Sequence, residues 1–171
     1  MNSYYLIGFI DEPDTGIMDY SNASNFLHLT VLPRFSLPLN KVDDFSLGVE
    51  SITKWFPPLT LEVSDHEMFG EEGNIPVALV SSSSEFSLHD LHSATLDVLV
   101  RSGGWGNQEY FMDGNYAPHV SYYTKWAPLA LFSLSLVRHS GDKGEIVENL
   151  RNFSLEGEST LASSPLIDRT D

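Results

Sequence analysis

The sequence contains no cysteine and few basic residues, and these absences exclude several classes of protein. Without cysteine the chain can form neither a disulfide framework nor a thiolate that acts as nucleophile or metal ligand. Nine lysines and arginines stand against 24 aspartates and glutamates, which gives a formal net charge of −15. This balance disfavours binding along a long nucleic acid, because such binding depends on cations that neutralise phosphates. We therefore expect no extended polyanionic partner.

Long apolar runs and targeting signals are also missing. No apolar run approaches the roughly 20 residues that cross a bilayer. The first residues, MNSYYLIG, lack the basic segment and the cleavage site of a secretory signal. We accordingly expect a cytoplasmic protein with no membrane partner. With 171 residues, 42% of them hydrophobic, the chain is long enough for one domain with a substantial core.

Two short segments combine a histidine with a hydroxyl residue two positions later. They are His28-Leu-Thr30 in the first half of the chain and His119-Val-Ser121 in the second. Both have aliphatic or aromatic neighbours typical of a strand, in which residues i and i+2 share one face. Each segment thus places an imidazole beside a hydroxyl. If the fold brings the two pairs together, they form a cleft with two proton-transfer groups and two small donors, which suits a phosphodiester better than a metal.

The two segments, HLTV and PHVSY, resemble the paired motifs of the 2H phosphoesterase superfamily, with an expected helix-strand-strand-helix order between them. That superfamily includes 2′-5′ RNA ligase-like proteins, RNA cyclic phosphodiesterases and phage enzymes that cleave cyclic oligonucleotide signals. The resemblance covers about residues 1–155, with Ser121 standing where threonine is commoner. It implies a bilobal α+β fold with an internal pseudo-repeat, in which two antiparallel sheets form a central cleft and the helices lie outside.

The function implied is that of a metal-independent phosphodiesterase without a cofactor. One histidine removes a proton from water or a 2′-hydroxyl and the other protonates the leaving oxygen, while Thr30 and Ser121 donate to the non-bridging oxygens. The expected substrate is a small cyclic nucleotide, a cyclic oligonucleotide, or a 2′-5′ or 2′,3′-cyclic phosphate. Three alternatives stay open: processing of RNA ends that carry a 2′,3′-cyclic phosphate, nucleotide binding without catalysis, and two motifs that merely pack in an α+β scaffold. The sequence does not say which histidine is the acid.

Five residues near the motifs are candidates for holding the substrate. Trp105 and Tyr110 belong to a loop rich in aromatics and glycine before the second motif, and Tyr123 follows that motif. Aromatic rings in these positions can stack on bases, although the loop can equally cover the core with its own aromatics. Arg34 and Lys125 each follow a motif histidine by six residues and are candidates for phosphate contacts.

Hydrophobic spacing predicts the elements around the motifs. Strands are expected at residues 4–10, 59–63, 76–80 and 129–137, with the middle two paired, and helices at 40–56, 87–102 and 144–153. Asn40 is the expected cap of the first helix. The second begins with Ser87 and Asp90 in the spacing of a capping box, and Gly103 follows its end.

Three other histidines and the end of the chain also give expectations. His66 stands between two acids, and His89 and His92 are three residues apart on a helix; we favour solvated side chains over a metal site for all three. One domain is expected over residues 1–155, followed by a polar tail at 156–171. We expect a monomer that binds a small nucleotide or short oligonucleotide.

Overall fold

A computed structural model describes residues 3–10, 27–70, 72–82, 86–106, 115–140 and 145–157. Its strands are β1 Ser3–Phe9, β2 His28–Ser36, β3 Leu59–Phe69, β4 Ile75–Ser82, β5 Trp105–Gly106, β6 His119–Ser121, β7 Leu129–Leu131, β8 Ser133–Ser140 and β9 Glu145–Ser154. The helices are α1, Val42–Thr53, which a 3-10 turn at Leu39–Lys41 precedes, and α2, Leu88–Arg101. Neither helix, nor any other in the described ranges, is long and apolar enough to cross a membrane.

The nine strands form one antiparallel sheet in the order β7-β3-β4-β6-β2-β1-β8-β9, with β5 beside β2. This order divides into two groups of four strands that meet where β6 pairs with β2. The α+β class expected from the sequence is confirmed, and so is the pairing of β3 with β4. The two expected sheets are joined into one, because the strands that carry the histidine motifs pair with each other.

The sheet is strongly curled. β7 and β8 lie near opposite ends of the strand order, yet only Phe132 separates them in the chain. Gly8 allows the close approach that results, because a Cβ at this position would overlap Leu131 and lie 3.2 Å from the Ser133 carbonyl oxygen. The single strand predicted over residues 129–137 is therefore wrong. It is two strands in different halves of the sheet.

The two helices pack on one face of the sheet and form the core with it. Side chains of the helices, among them Phe45, Val49 and Leu91, are fully buried against Leu29 and Val120 of the sheet. Burial of apolar surface from both sides is the main force that holds the halves together. Within the described ranges no helix covers the opposite face of the sheet.

The ends of α2 follow the sequence prediction. The Ser87 hydroxyl accepts from the Asp90 amide at 3.1 Å and the Asp90 carboxylate accepts from the Ser87 amide at 2.9 Å, which completes a capping box. Gly103, with φ of +71°, ends the helix. For α1 the predicted cap is wrong: Asn40 lies in the 3-10 turn, and the N-cap residue Lys41 makes no side-chain capping bond.

The helix predicted at residues 144–153 is also wrong, because this segment is β9, paired with β8. Its register against β8 skips Val147 and Leu150. Each bulge adds one residue to the strand, so apolar positions recur every three residues, as they would on a helix face. The spacing of the residues alone could not separate these two structures.

The described chain stays attached to the domain beyond β9. The amide of Glu156 donates to the Thr53 carbonyl at 3.1 Å, and the amide of Gly157 donates to the Phe56 carbonyl at 3.1 Å. These bonds tie the end of β9 to the end of α1. The rest of the tail expected at 156–171, from residue 158 onward, lies outside the described residues.

Candidate active site

The two histidine motifs lie on adjacent strands at the centre of the sheet. β2 and β6 run antiparallel, with Leu29 opposite Val120. Both side chains are fully buried in the core beneath the helices. Because side chains alternate between the faces of a strand, the residues on either side of Leu29 and Val120 project to the face opposite the helices.

This register puts each histidine across from the hydroxyl residue of the other motif. His28 lies opposite Ser121, and Thr30 lies opposite His119, since numbers on facing antiparallel strands run in opposite directions. Directly opposite Cβ atoms are roughly 4.5–5.5 Å apart, and the diagonal pair, His28 and His119, roughly 7–8 Å. A local twofold axis through the central pair exchanges the two motifs. All four side chains are half-buried and share one face.

The ring of His119 is held in one orientation. Its Nδ1 lies 2.8 Å from the carbonyl oxygen of Ala117. A carbonyl oxygen only accepts, so Nδ1 carries the proton and donates it to this bond. The edge of the ring contacts Phe69, with centroids 4.9 Å apart. In the neutral state Nε2 is therefore the proton-accepting atom of His119.

His119 and Thr30 line a small depression, called here the histidine cleft. Its volume is about 210 Å³, and its other walls are Pro33, Phe69, Asn115, Tyr116 and Ala117. Mostly apolar walls around a few polar groups are typical of ligand sites, but the volume is below the roughly 300–1,000 Å³ of most of them. The cleft by itself can hold only part of a nucleotide chain.

Tyr116 connects the segment before β6 to both β2 and α2. Its hydroxyl donates to the Thr30 carbonyl at 3.1 Å. Its ring stacks on His92 at 4.1 Å and meets the edge of His89 at 5.3 Å. Burial raises the pKa of Tyr116, so the phenol keeps its proton and remains a donor. This tyrosine is not among the site residues predicted from the sequence, although it stands three residues before His119.

His92 anchors α2 to the first motif. Its Nδ1 lies 2.7 Å from the carbonyl oxygen of Val31, and the side chain is fully buried. The expectation of a solvated His92 is thus wrong, whereas His89 is exposed. The three-residue spacing of the pair did carry a signal, because both rings contact Tyr116. That signal indicated a packing role rather than zinc binding.

The chain turns sharply directly after the second motif. Tyr122 has φ of +61°, a left-handed conformation that is rare for a residue with a side chain. Its amide donates to the Pro76 carbonyl at 2.7 Å, which helps to hold the turn. β6 therefore ends at Ser121, and the hydroxyl of the second motif lies next to a strained position, as is common at functional sites.

Solved structures of other proteins share this fold. No family model and no curated protein matches the sequence. Solved structures do match: TT0787 of Thermus thermophilus has a TM-score of 0.59 at 19% identity, over 92% of this chain and 100% of that chain. LigT of E. coli complexed with NADP+ has a TM-score of 0.54 at 17% identity, over 90% and 97%. A structure described as a phosphoesterase gives 0.54 at 18%, over 90% and 98%.

The chain has the LigT fold. These neighbours belong to the 2H phosphoesterase superfamily. The resemblance drawn from the two motifs is therefore confirmed at the level of the fold, and the likeness extends over nearly the whole chain.

Within the LigT fold, the residues expected to bind substrate fall in different places. Tyr123 is buried in the core, 7% exposed, with its hydroxyl donating to the Ala127 carbonyl, so the prediction that it stacks on a base is wrong. Lys125 is exposed and lines neither the histidine cleft nor the cavity beside it. Arg34 and Trp105 line that neighbouring cavity. Tyr110 lies outside the described residues.

The histidine on β3 is not a simple surface residue. His66 is half-buried and meets the ring of Trp126 edge-on, with centroids 4.5 Å apart, which corrects the expectation of a solvated side chain. No group of three or more histidine, cysteine, aspartate or glutamate side chains that could hold a metal occurs among the described residues.

Proposed function

We propose that this protein is a phosphoesterase that hydrolyses a phosphodiester bond by two-histidine acid-base catalysis without a metal ion. The observation that supports the proposal is the register of β2 and β6, which sets each histidine across from the hydroxyl of the other motif. The LigT fold of the chain is consistent with this activity.

His119 is the better candidate for the general base. Its Nδ1–H is committed to the Ala117 carbonyl, so neutral His119 presents Nε2 as a proton acceptor. It takes a proton from water as the water oxygen bonds to phosphorus. Protonated His28 gives a proton to the leaving oxygen as the second phosphorus–oxygen bond breaks. An imidazole accepts a proton in its neutral state and donates one in its protonated state, which are the two roles that this mechanism requires.

Thr30 and Ser121 stabilise the charge that develops on phosphorus oxygens. Each hydroxyl lies beside one histidine on its own strand and across from the other. They donate to the two non-bridging oxygens, and such preorganised donors act most strongly in a site that excludes water. A phosphate held between the motifs meets two donors and two imidazoles without a metal ion.

The favoured substrate is small. With a net charge of −15, the surface repels a long phosphate backbone, so recognition must come from the cleft and its surroundings. Cyclic mononucleotides, cyclic oligonucleotides and 2′-5′ or 2′,3′-cyclic phosphates are the classes to test. Processing of RNA ends with a 2′,3′-cyclic phosphate is the alternative.

The deciding experiment is a substrate screen with product identification by mass. The panel contains cyclic mononucleotides, cyclic di- and trinucleotides, 2′-5′ oligoadenylates and a structured RNA with a 2′,3′-cyclic end. We expect turnover of a small substrate, full activity in EDTA, and loss of activity in His28→Ala. Binding without turnover would indicate a nucleotide-binding module. Loss in EDTA with recovery on zinc addition would overturn the metal-free mechanism. Faster turnover of the RNA, falling steeply with salt, would favour RNA-end processing.

A further inference from the structure

A second and larger cavity, called here the Trp105 cavity, lies beside the histidine cleft. Its volume is about 470 Å³, and it is lined by Tyr5, Pro33, Arg34, Phe35, Ser36, Trp105 and Gly106. Pro33 lines both cavities, so the two adjoin at this residue of β2. The Trp105 cavity has more than twice the volume of the histidine cleft, and the chemistry assigned to the motifs does not use it.

The Trp105 cavity lies where the backbone of β2 is bulged. The pairing of β1 with β2 shows two register shifts, one between Tyr4 and Leu6 and one between Leu6 and Ile7. Bulges of this kind bend a strand and re-aim its side chains. Pro33 lies in one of them, where a proline does not interrupt the ladder of a central strand. Arg34, next to Pro33, is exposed as a result.

Arg34 is a cation without a carboxylate partner among the described residues. Four described cations, Lys41, Arg101, Arg138 and Arg151, form ion pairs. The Nε of Arg34 instead donates to the Ser3 hydroxyl at 3.3 Å, and within the described ranges no hydrogen bond occupies the two terminal nitrogens of the guanidinium. An exposed arginine of this kind in so acidic a chain suits a phosphate, which it can bind with two parallel hydrogen bonds.

Trp105 supplies the second part of a nucleotide site. It lies on the short strand β5, opposite Ser36 of β2, and its side chain is 48% exposed. An indole with so much open surface beside a cavity is a platform on which any base can stack. Thr30 and Arg34 are four residues apart, so at most roughly 13 Å of strand separates the two sites. A substrate of two linked nucleotides can reach across this distance.

We propose that the Trp105 cavity is a second nucleotide subsite, in which Trp105 stacks on a base and Arg34 binds the adjoining phosphate. The inference rests on the proposed function and deepens it. It narrows the preferred substrate to one with at least two linked nucleotides, either linear or cyclic, of which one occupies the histidine cleft and the next occupies the Trp105 cavity.

The test compares two substrate classes in the same variants. We measure kcat/KM for a mononucleotide 2′,3′-cyclic phosphate, a linear dinucleotide and a cyclic dinucleotide. Trp105→Leu should lower kcat/KM for the dinucleotides by roughly 5- to 150-fold, mainly through KM, because one stacked base is lost. Turnover of the mononucleotide should change less than about twofold, since it reaches only the histidine cleft. Trp105→Phe keeps an aromatic face and should restore most of the loss.

Matched controls separate the subsite from general damage. Trp55 is 50% exposed in the turn after α1, and Arg101 is exposed on α2, so Trp55→Leu and Arg101→Ala should leave both substrate classes unchanged. Arg34→Ala should weaken only the dinucleotides. If Trp105→Leu affects the mononucleotide as strongly as the dinucleotides, or affects neither, the second subsite is refuted while the proposed function stands.

A binding experiment distinguishes failure of the subsite from failure of the proposed function. The probe is a phosphorothioate dinucleotide, titrated into the wild-type protein and into Trp105→Leu by calorimetry. Binding that is lost in Trp105→Leu supports the subsite even if no substrate is turned over, in which case only the proposed catalysis fails. Equal binding by both proteins overturns the subsite. Linear and cyclic probes used in parallel show which form the cavity prefers.

Discussion

The two histidine motifs are alike in sequence but are held by different means. His28 and Thr30 belong to β2, a strand of nine residues with neighbours on both sides. His119 and Ser121 belong to β6, which has only three residues. The ladder therefore holds the first motif over a long stretch, whereas the second makes few backbone contacts of its own.

Contacts from outside the sheet support the second motif. Tyr116 ties the segment before β6 to Thr30 and to α2, and the left-handed Tyr122 is bonded to Pro76 behind it. A local twofold axis thus relates the two motifs, but the contacts that support them differ. We expect substitutions of the four motif side chains to have equal effects in the two motifs, and substitutions of the supporting residues to affect the second motif first.

The largest expected effect is loss of either histidine. His28→Ala and His119→Ala should each lower kcat by roughly 10²–10⁴-fold, because each removes one proton-transfer group. Both variants should melt close to the wild-type protein, since the side chains are half-buried on an open face and contribute little to the core. Steady-state kinetics and thermal unfolding followed by circular dichroism measure both quantities. One variant with full activity would break the proposed equivalence of the motifs.

The hydroxyl residues should show a smaller and equally symmetric effect. Thr30→Ala and Ser121→Ala each remove one donor and should reduce kcat by up to roughly 10²-fold. Thr30→Ser and Ser121→Thr keep the hydroxyl, so these exchanges should retain most of the activity. Kinetics on one substrate, with all four variants at one pH, make the comparison. If Thr30→Ser and Ser121→Thr lower kcat as much as the alanine substitutions do, packing rather than hydrogen bonding explains the role of these residues.

Removal of Tyr116 should expose the asymmetry of the support. Tyr116→Ala leaves a gap between α2 and the second motif and should lower the free energy of unfolding by about 3 kcal/mol. Tyr116→Phe removes only the bond to the Thr30 carbonyl and should cost about 1 kcal/mol. Urea titrations give these values. In Tyr116→Ala the rate of amide hydrogen exchange should increase more at Val120 than at Leu29. Equal increases would contradict the difference in support between the two motifs.

The cap of α2 should give the smallest effect. Ser87→Ala should cost about 1 kcal/mol, because α2 loses its N-cap while the contacts of His89 and His92 remain. Hydrogen bonds from the Ser87 hydroxyl and amide hold the pKa of Asp90 below its usual value. A lowered pKa contributes stability above the unfolded-state pKa, and this contribution disappears as the pH falls through the folded-state value.

The pH dependence provides the check on this prediction. The difference between wild type and Ser87→Ala should be full at pH 7 and should shrink below about pH 4, as Asp90 becomes protonated. Urea titrations at several pH values measure it. Asp97→Asn is a suitable control, since Asp97 is exposed on the same helix and forms only a surface pair with Arg101. A difference that grows in acid would contradict the assignment.

Much of the fold could be predicted because its signals are local. The i, i+2 spacing of His28 and Thr30 places them on one face of any strand, and the Ser87–Asp90 capping box forms within one turn of helix. The overall fold was predicted from the resemblance of the two motifs to those of a known superfamily. The secondary-structure predictions are wrong where one spacing of apolar residues fits two structures. β9 has bulges three residues apart, so its spacing also fits a helix. The segment around Phe132 passes from one half of the sheet to the other, although its spacing fits a single strand.

The candidate site was predictable only in part, for the same reason. Tyr123 stands two residues after Ser121, on what a continuous strand would make the same face, but the left-handed Tyr122 redirects the chain and Tyr123 enters the core. The buried His92 and its stacked partner Tyr116 are far apart in sequence, and no local pattern links them. The cavity beside Trp105 depends on bulges in β2 that could not be predicted from the sequence.

The sequence by itself determined which side chains are candidates for the chemistry and how each histidine is placed relative to its own hydroxyl, because backbone geometry governs contacts over two to four residues. The tertiary structure alone decided that His28 faces Ser121 and that His119 faces Thr30. That pairing depends on the register of two strands far apart in the chain, and a shift of one residue would turn one motif toward the core. Burial of Leu29 and Val120 beneath the helices selects the register, and so it also selects the site.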